Sequence, residues 1–263
     1  MRIITNKIMI VETKKIVKFC RDYLKVKDFS DYCVNGLQVE GVAKVSRIIV
    51  GVSLSAKLIE TAVKKRAKMI IVHHGIFLKN IPSPMELKGI FKDRLKMLLE
   101  NNINLLGFHL PLDAHPIIGN NISLLRLFGL KKVDVIDTAD YGEIGFIGEA
   151  PGQMSFKEFT ELVKNKLNTE PYVIAAGPKA VKRVGIISGG ASPDFEFAKE
   201  AGADTYLCGD VRESVARAVE EAKINFINAG HYNTEKLGIQ NLGDLINKKF
   251  DIKVEFIDIP NDI

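Results

Sequence analysis

Apolar and polar positions along this chain fall into two textures that alternate. Arg47-Ile48-Ile49-Val50-Gly51-Val52-Ser53 is a short apolar run of the kind that forms a strand buried on both faces, and Met69–Val72 and Asn104–Phe108 repeat it. Around these runs apolar residues recur at helical spacing. They do so over Val11–Val26, with Ile16, Val17, Phe19, Cys20, Tyr23 and Leu24, and again over about 55–66. Ser83-Pro84 opens a further helix, with proline in the first turn where its missing N–H costs nothing. After about Gly129 the connections shorten: 133–136 and 145–150 read as strands, and Ser155–Leu167 reads as a helix capped by its serine. Alternation then resumes, with strands at 181–188, 205–208, 225–229 and 254–258 and helices at 193–201, 213–223 and 234–250. Such alternation predicts α/β layering with a partly parallel sheet.

The second run of alternation echoes the first. Val45-Ser46-Arg47-Ile48 aligns with Val181-Lys182-Arg183-Val184, and Ala67–Val72 aligns with Ala203–Cys208, both at an offset of 136. Each strand set then ends in a histidine followed four residues later by a carboxylate: His109 and Asp113 in the first, His231 and Glu235 in the second. A duplicated α/β unit accounts for both observations.

Composition narrows the class. No apolar run approaches the ~18–20 residues of a membrane span, and residues 1–8 carry no long apolar core of a secretory leader. Cys20, Cys33 and Cys208 are too few and too scattered for a disulfide framework or a thiolate zinc site, so a reducing, cytoplasmic setting is expected. The absence of Trp, the scarcity of Gln, and the abundance of Lys, Glu and Ile are a bias common in heat-adapted proteins. A net charge of +5 permits anionic partners without requiring them.

Chemistry concentrates in the histidines. Of five, His73, His74, His109 and His231 fall just beyond predicted strands, where open α/β sheets form their sites. His73 and His74 are adjacent, so they are expected to point to opposite sides. Neutral imidazole binds first-row metals well, and carboxylates add the charge that holds a dication. Together with Asp113 and Glu235 they form a candidate ligand set of His73, His74, Asp113, His231 and Glu235. Five ligands exceed the three of a catalytic zinc and suit two ions sharing a carboxylate. His109 is open between metal ligand, orienting residue and proton donor, and Pro111 makes the stretch after it a loop. Glu235 falls at a predicted helix start, with Asn233 or Thr234 as cap. His115 reads as an ordinary hydrogen-bonded loop residue, Gly189-Gly190-Ala191-Ser192-Pro193 as a tight turn before a phosphate cradle, Asp210 as a cap or a residue bordering the site, and Cys33 as packing.

These motifs have a family owner. Asn35-Gly36-Leu37-Gln38-Val39-Glu40-Gly41, Val72-His73-His74-Gly75, His109-x-x-x-Asp113-Ala114, Gly119-Asn120-Asn121, Gly209-Asp210 and Ala229-Gly230-His231-x-x-x-Glu235 run in order over residues 31 to about 240. In them the chain resembles the Nif-three-like family, whose members are often labelled type-two GTP cyclohydrolase I homologues. The resemblance implies two similar, interleaved α/β lobes with a metal cleft between them. Residues 1–128 would form the first lobe and 129–225 the second, with 226–263 returning to the first lobe to complete the site. It implies two divalent ions per subunit (Zn, Fe or Mn), ligated by His73, His74, Asp113, His231 and Glu235 with Glu235 bridging, and His109 beside them. It also implies a toroidal homohexamer built as a trimer of dimers. Leu110-Pro111-Leu112 departs from the Thr-Asn-Leu usual in relatives. The expected activity is metal-dependent hydrolysis of a nucleotide or related small polar substrate. The alternatives are a ring-shaped protein that binds single- or double-stranded DNA without turnover, or a metal-handling or regulatory protein.

Overall fold

The computed structural model describes residues 9–78 and 86–261. The expectations for residues 1–8 and for a helix opening at Ser83-Pro84 lie outside them. The chain opens with β1 (Val11–Glu12), α1 (Thr13–Tyr23), β2 (Gly36–Val39), β3 (Lys44–Val45), β4 (Arg47–Ser53), α2 (Ala56–Lys64), β5 (Met69–His74), α3 (Gly89–Glu100) and β6 (Asn104–Gly107). It continues with α4 (Leu110–Asp113), α5 (Asn120–Leu127), β7 (Lys131–Thr138), β8 (Gly142–Ser155), α6 (Phe156–Leu167), β9 (Tyr172–Ala175), β10 (Ala180–Ile186), α7 (Phe195–Glu200), β11 (Thr205–Cys208), α8 (Glu213–Ala222) and β12 (Asn225–Asn228). The long helix α9 (His231–Phe250) and β13 (Lys253–Phe256) close it. Two compact units result: Met1–Pro111 with Ile239–Ile259, and Leu112–Gly238 with Pro260–Ile263.

The first unit holds a five-stranded sheet in the order β13-β4-β5-β6-β2, parallel except for β2, plus the small β1–β3 pair. Its central strands β4 and β5 are apolar almost throughout because both faces are covered. Ile49, Ile70, Val72 and Leu105 pack with Leu58, Ile59, Ala62 and Leu98 of the flanking helices in one buried cluster. The second unit holds a six-stranded sheet in the order β7-β8-β10-β11-β12-β9. There Val184, Ile186, Leu207 and Ile227 pack against Leu124, Leu125, Phe159 and Val163 of α5 and α6. α6 starts with a reciprocal cap: the Glu158 N–H donates to Ser155 Oγ, and the Ser155 N–H donates to Glu158 Oε2.

The two sheets share a motif. In each, three parallel strands (β4-β5-β6 and β10-β11-β12) carry an antiparallel fourth (β2 and β9) beside the third. Register agrees as well, since Ile48 pairs with Met69 and Val184 with Thr205. Each third strand opens with a buried asparagine. Asn104 Oδ1 accepts from the Gly41 N–H at 2.9 Å while Nδ2 donates to Val42 O at 2.9 Å and Lys68 O at 3.1 Å. Asn225 Oδ1 accepts from the Gly177 N–H at 2.9 Å while Nδ2 donates to Pro178 O at 2.8 Å.

Several elements differ from the sequence reading. The Val11–Val26 helix is shorter at both ends, because Val11 and Glu12 pair with β3 and Lys25 adopts φ 50°. Leu110–Asp113 is a short helix, with Pro111 in its first turn where no helical N–H is lost. α9 begins at His231, so Glu235 lies one turn inside it.

Removing the asparagine clasps strands buried backbone groups, which is costly. Asn104→Ala should lower stability by about 3 kcal/mol and Asn225→Ala by about 2 kcal/mol. Urea unfolding followed by circular dichroism checks both.

Candidate metal centre

His73 and His74 end β5, one strand-length past the apolar core. The β5–β6 ladder stops at Val72–Gly107, so beyond it β5 pairs in the sheet with β4 only. Their rings converge, with centroids 4.6 Å apart, and do not diverge as alternation along a strand would have them. Freed from pairing on one side, the strand end need not keep its pleat. His109, two residues past β6, brings a third imidazole, 5.0 Å from His73 and 5.6 Å from His74 between centroids. The three offer ligand atoms within 4.8 Å of one another, a cluster able to hold a metal ion.

Each ring is oriented by its Nδ1. His73 Nδ1 lies 2.9 Å from the Phe108 carbonyl. A carbonyl only accepts, so Nδ1 carries the proton and Nε2 the lone pair a metal needs. His74 Nδ1 lies 2.9 Å from Ser53 Oγ on the neighbouring strand. His109 Nδ1 lies 3.0 Å from Asp31 Oδ1, and its Nε2 lies 3.4 Å from the Tyr32 hydroxyl, whose ring meets the imidazole edge-on.

Asp31 is buried and saturated. Its carboxylate also accepts from the Cys33 N–H at 2.9 Å, the Leu110 N–H at 3.0 Å and Asn35 Nδ2 at 2.7 Å. Burial alone would raise its pKa, but His109, Asn35 and the Cys33 N–H outweigh it and hold the carboxyl at about 2. Asn35 Oδ1 in turn accepts the His109 N–H at 2.7 Å. Gln38 clamps the loop after His74: Oε1 accepts from the Ile76 N–H at 2.7 Å and Nε2 donates to Val34 O at 2.6 Å. Its amide lies so close to Gly75 and Gly107 that a Cβ at either would sit 2.2 Å or 2.6 Å from it. The Asn35–Gly41 motif is therefore scaffolding for the histidines.

The second unit presents the remaining candidates. Asp113 Oδ1 accepts from Asn120 Nδ2 at 2.8 Å and from Ser188 Oγ at 2.9 Å. Asn120 Oδ1 accepts the Gly238 N–H, and Asn121 spans from Ile144 O to the Ser188 N–H. His231 Nε2 lies 3.1 Å from Oε1 of the buried Glu235, one turn along α9. Gly189, at φ +69°, presses its backbone onto this pair, and a Cβ there would sit 2.1 Å from Glu235 Oε1. Thr234 does not cap a helix start: its Oγ1 accepts the Gly189 N–H at 3.0 Å and so fixes that loop.

Three N–H groups of the glycine loop are engaged within the fold, as in a tight turn: Gly189 donates to Thr234, Ala191 to Gly189 O and Ser192 to Asp210 Oδ1. His115 Nδ1 accepts the Ile117 and Ile118 N–H groups, a structural role. Sequence reading passes over Asp31, Ser53, Ser188 and Thr234 as orienting groups. Asp31 and Thr234 do lie inside or beside the marked motifs.

The fold and these clusters define an α/β protein with His, Asp and Glu groups able to hold metal. The chain belongs to the DUF34/NIF3 (NGG1p interacting factor 3) family, whose model matches residues 11–262. A Pseudomonas aeruginosa protein named "GTP cyclohydrolase 1 type 2 homolog" is 39% identical over 253 residues, covering 96% of this chain and 99% of that protein. The Escherichia coli K12 protein of the same name is 37% identical over 253 residues, covering 95% and 99%. Among solved structures, protein ybgI, described as of unknown function, superposes with a TM-score of 0.91 at 35% identity over 96% of this chain and 100% of its own. TTHA1606 from Thermus thermophilus gives 0.84 at 30% identity, covering 96% and 100%. No helix among the described residues is long and apolar enough to cross a membrane.

An acidic group near the glycine loop yields a pH prediction. Burial raises the Asp194 carboxyl to about 6, helped by Asp140 and Asp210 and opposed by Arg212. The unfolded carboxyl ionises near 3.8 and the folded one near 6. The protein therefore loses stability as pH rises between those values. Allowing for the solvent that still reaches this side chain, Asp194→Asn should gain about 1 kcal/mol at pH 7 and flatten that decline. Thermal melts from pH 4 to pH 8 check it.

Proposed function

We propose that the chain is a metal-dependent hydrolase in which His73, His74, Asp113, His231 and Glu235 would hold two divalent ions. The observation that carries this reading is the orientation of buried His73, whose Nδ1 proton is committed to a carbonyl and whose Nε2 is thereby a ligand atom. The buried Glu235 carboxylate against His231 supports it from the second unit, as does the order of motifs shared with the family. We also read the shared strand order and the paired asparagine clasps as the trace of an internal duplication.

Ions held there would supply Lewis-acid polarisation of a substrate oxygen and activation of water. The chain's own residues do the rest. Ser53 and the Phe108 carbonyl fix the ligand imidazoles, which limits their reorganisation. Asp31 keeps the His109 proton on Nδ1, leaving Nε2 to accept or return a proton. A nucleotide or related small polar substrate is the class proposed, in keeping with the names carried by the bacterial relatives.

Protein purified without added metal or an affinity tag should carry about two divalent ions per chain. His74→Ala and Glu235→Ala should lose most of that metal while remaining folded. Gly189→Ala should lose it too, since its methyl would displace Glu235 Oε1. Elemental analysis reads the metal, and release of product from a panel of nucleotides reads the activity. Wild-type protein that is folded yet binds no divalent ion would sink the reading.

A further inference from the structure

Cys33 lies two residues from Asp31, and the chain folds back so that both meet His109. Ligand atoms of the three lie within 4.8 Å of one another, and all three residues are buried. Asp31 Oδ1 joins them. It accepts the Cys33 N–H at 2.9 Å and faces His109 Nδ1 at 3.0 Å. That nitrogen is the opposite edge of the imidazole from Nε2, which faces Tyr32. We propose that Asp31, Cys33 and His109 form a separate site for one divalent cation of the zinc class, bound through a carboxylate oxygen, the Cys33 sulfur and His109 Nδ1.

The donor set suits that chemistry. One thiolate, one imidazole and one carboxylate are the ligand types of borderline cations, and three protein ligands leave a fourth position for water or a substrate group. Much of the ordering is already done, because Asp31 is fixed by the Leu110 N–H and Asn35 and the His109 backbone is fixed by Asn35. The other cysteines are built differently. Cys20 and Cys208 are fully buried, and burial pushes the Cys20 thiol up to about 12 and Cys208 well up. Neither belongs to a group of metal-binding geometry among the described residues.

Binding is balanced as follows. The Cys33 thiol loses its proton to solvent as sulfur bonds the cation. The Nδ1 proton of neutral His109 is given up as that nitrogen bonds the cation, and Nε2 takes up a proton, so one proton is released overall per ion. The resulting Nε2–H would face the Tyr32 oxygen, which lies 3.4 Å from Nε2. His109 then has no lone pair left to accept a proton, so filling this site would silence it as a base.

Cobalt(II) is the probe, because only a thiolate ligand gives it an intense near-ultraviolet charge-transfer band. Chelator-treated full-length protein should develop that band, saturating at one equivalent of thiolate-bound cobalt with one proton released. Cys33→Ser should abolish it, with Cys33→Ala as a second variant. Cys20→Ser and Cys208→Ser should keep it. Asp31→Asn should weaken it by at least the ~10–100-fold that perturbing a metal site's supporting groups costs. Glu235→Ala should retain the band even if it strips the proposed dinuclear centre, so the two readings fail separately. Folded wild-type protein that shows no band at saturating cobalt, or a band that survives loss of Cys33, overturns the proposal.

Discussion

Backbone groups at the ends of buried parallel strands have no ladder left to pair with, and an unpaired buried polar group costs as much as a lost hydrogen bond. This chain meets that constraint with side-chain amides and one carboxylate. Asn104 and Asn225 serve the loops beside the third strand of each sheet, Gln38 serves the turn after His74, and Asn121 serves Ser188. Asp31 serves the Cys33 and Leu110 N–H groups. The same side chains that satisfy the backbone also fix the loops on which the candidate ligands sit. Site geometry is therefore a by-product of hydrogen-bond accounting at strand ends.

That dependence explains where glycine is needed. Gly75 and Gly107 leave room for the Gln38 amide, and Gly189 leaves room for the Glu235 carboxylate. Only at Gly189 does a positive φ add to the demand. Space for a polar side chain, more than backbone freedom, is what glycine supplies around these histidines.

Legibility in the sequence follows the same division. β4 and β11 are readable to the residue because their apolar runs are set by burial on both faces. β2 and β9 escape such a reading. β2 carries Gln38, whose amide is occupied with loop backbone, and three of the four residues of β9 are exposed at a sheet edge, so neither shows a buried run. The start of α9 is expected three residues late because Thr234 resembles a cap, whereas its hydroxyl is engaged by Gly189. The candidate ligands can be picked out by type and spacing. Their orienting partners cannot, because Asp31 and His109 meet across 78 positions and Asp113 and Ser188 across 75, and no local pattern encodes such pairs.

Among the three clustered imidazoles, the orienting partner separates the roles. His73 donates to a neutral carbonyl, which fixes its tautomer and leaves the Nε2 lone pair as the candidate ligand. His109 faces a carboxylate that stays ionised far below neutral pH and orients the ring through Nδ1. The same carboxylate, with Cys33 beside it, is what would let a cation compete for Nδ1. One buried aspartate thus sets both what His109 does when that edge carries a proton and what it ceases to do when a metal takes the proton's place.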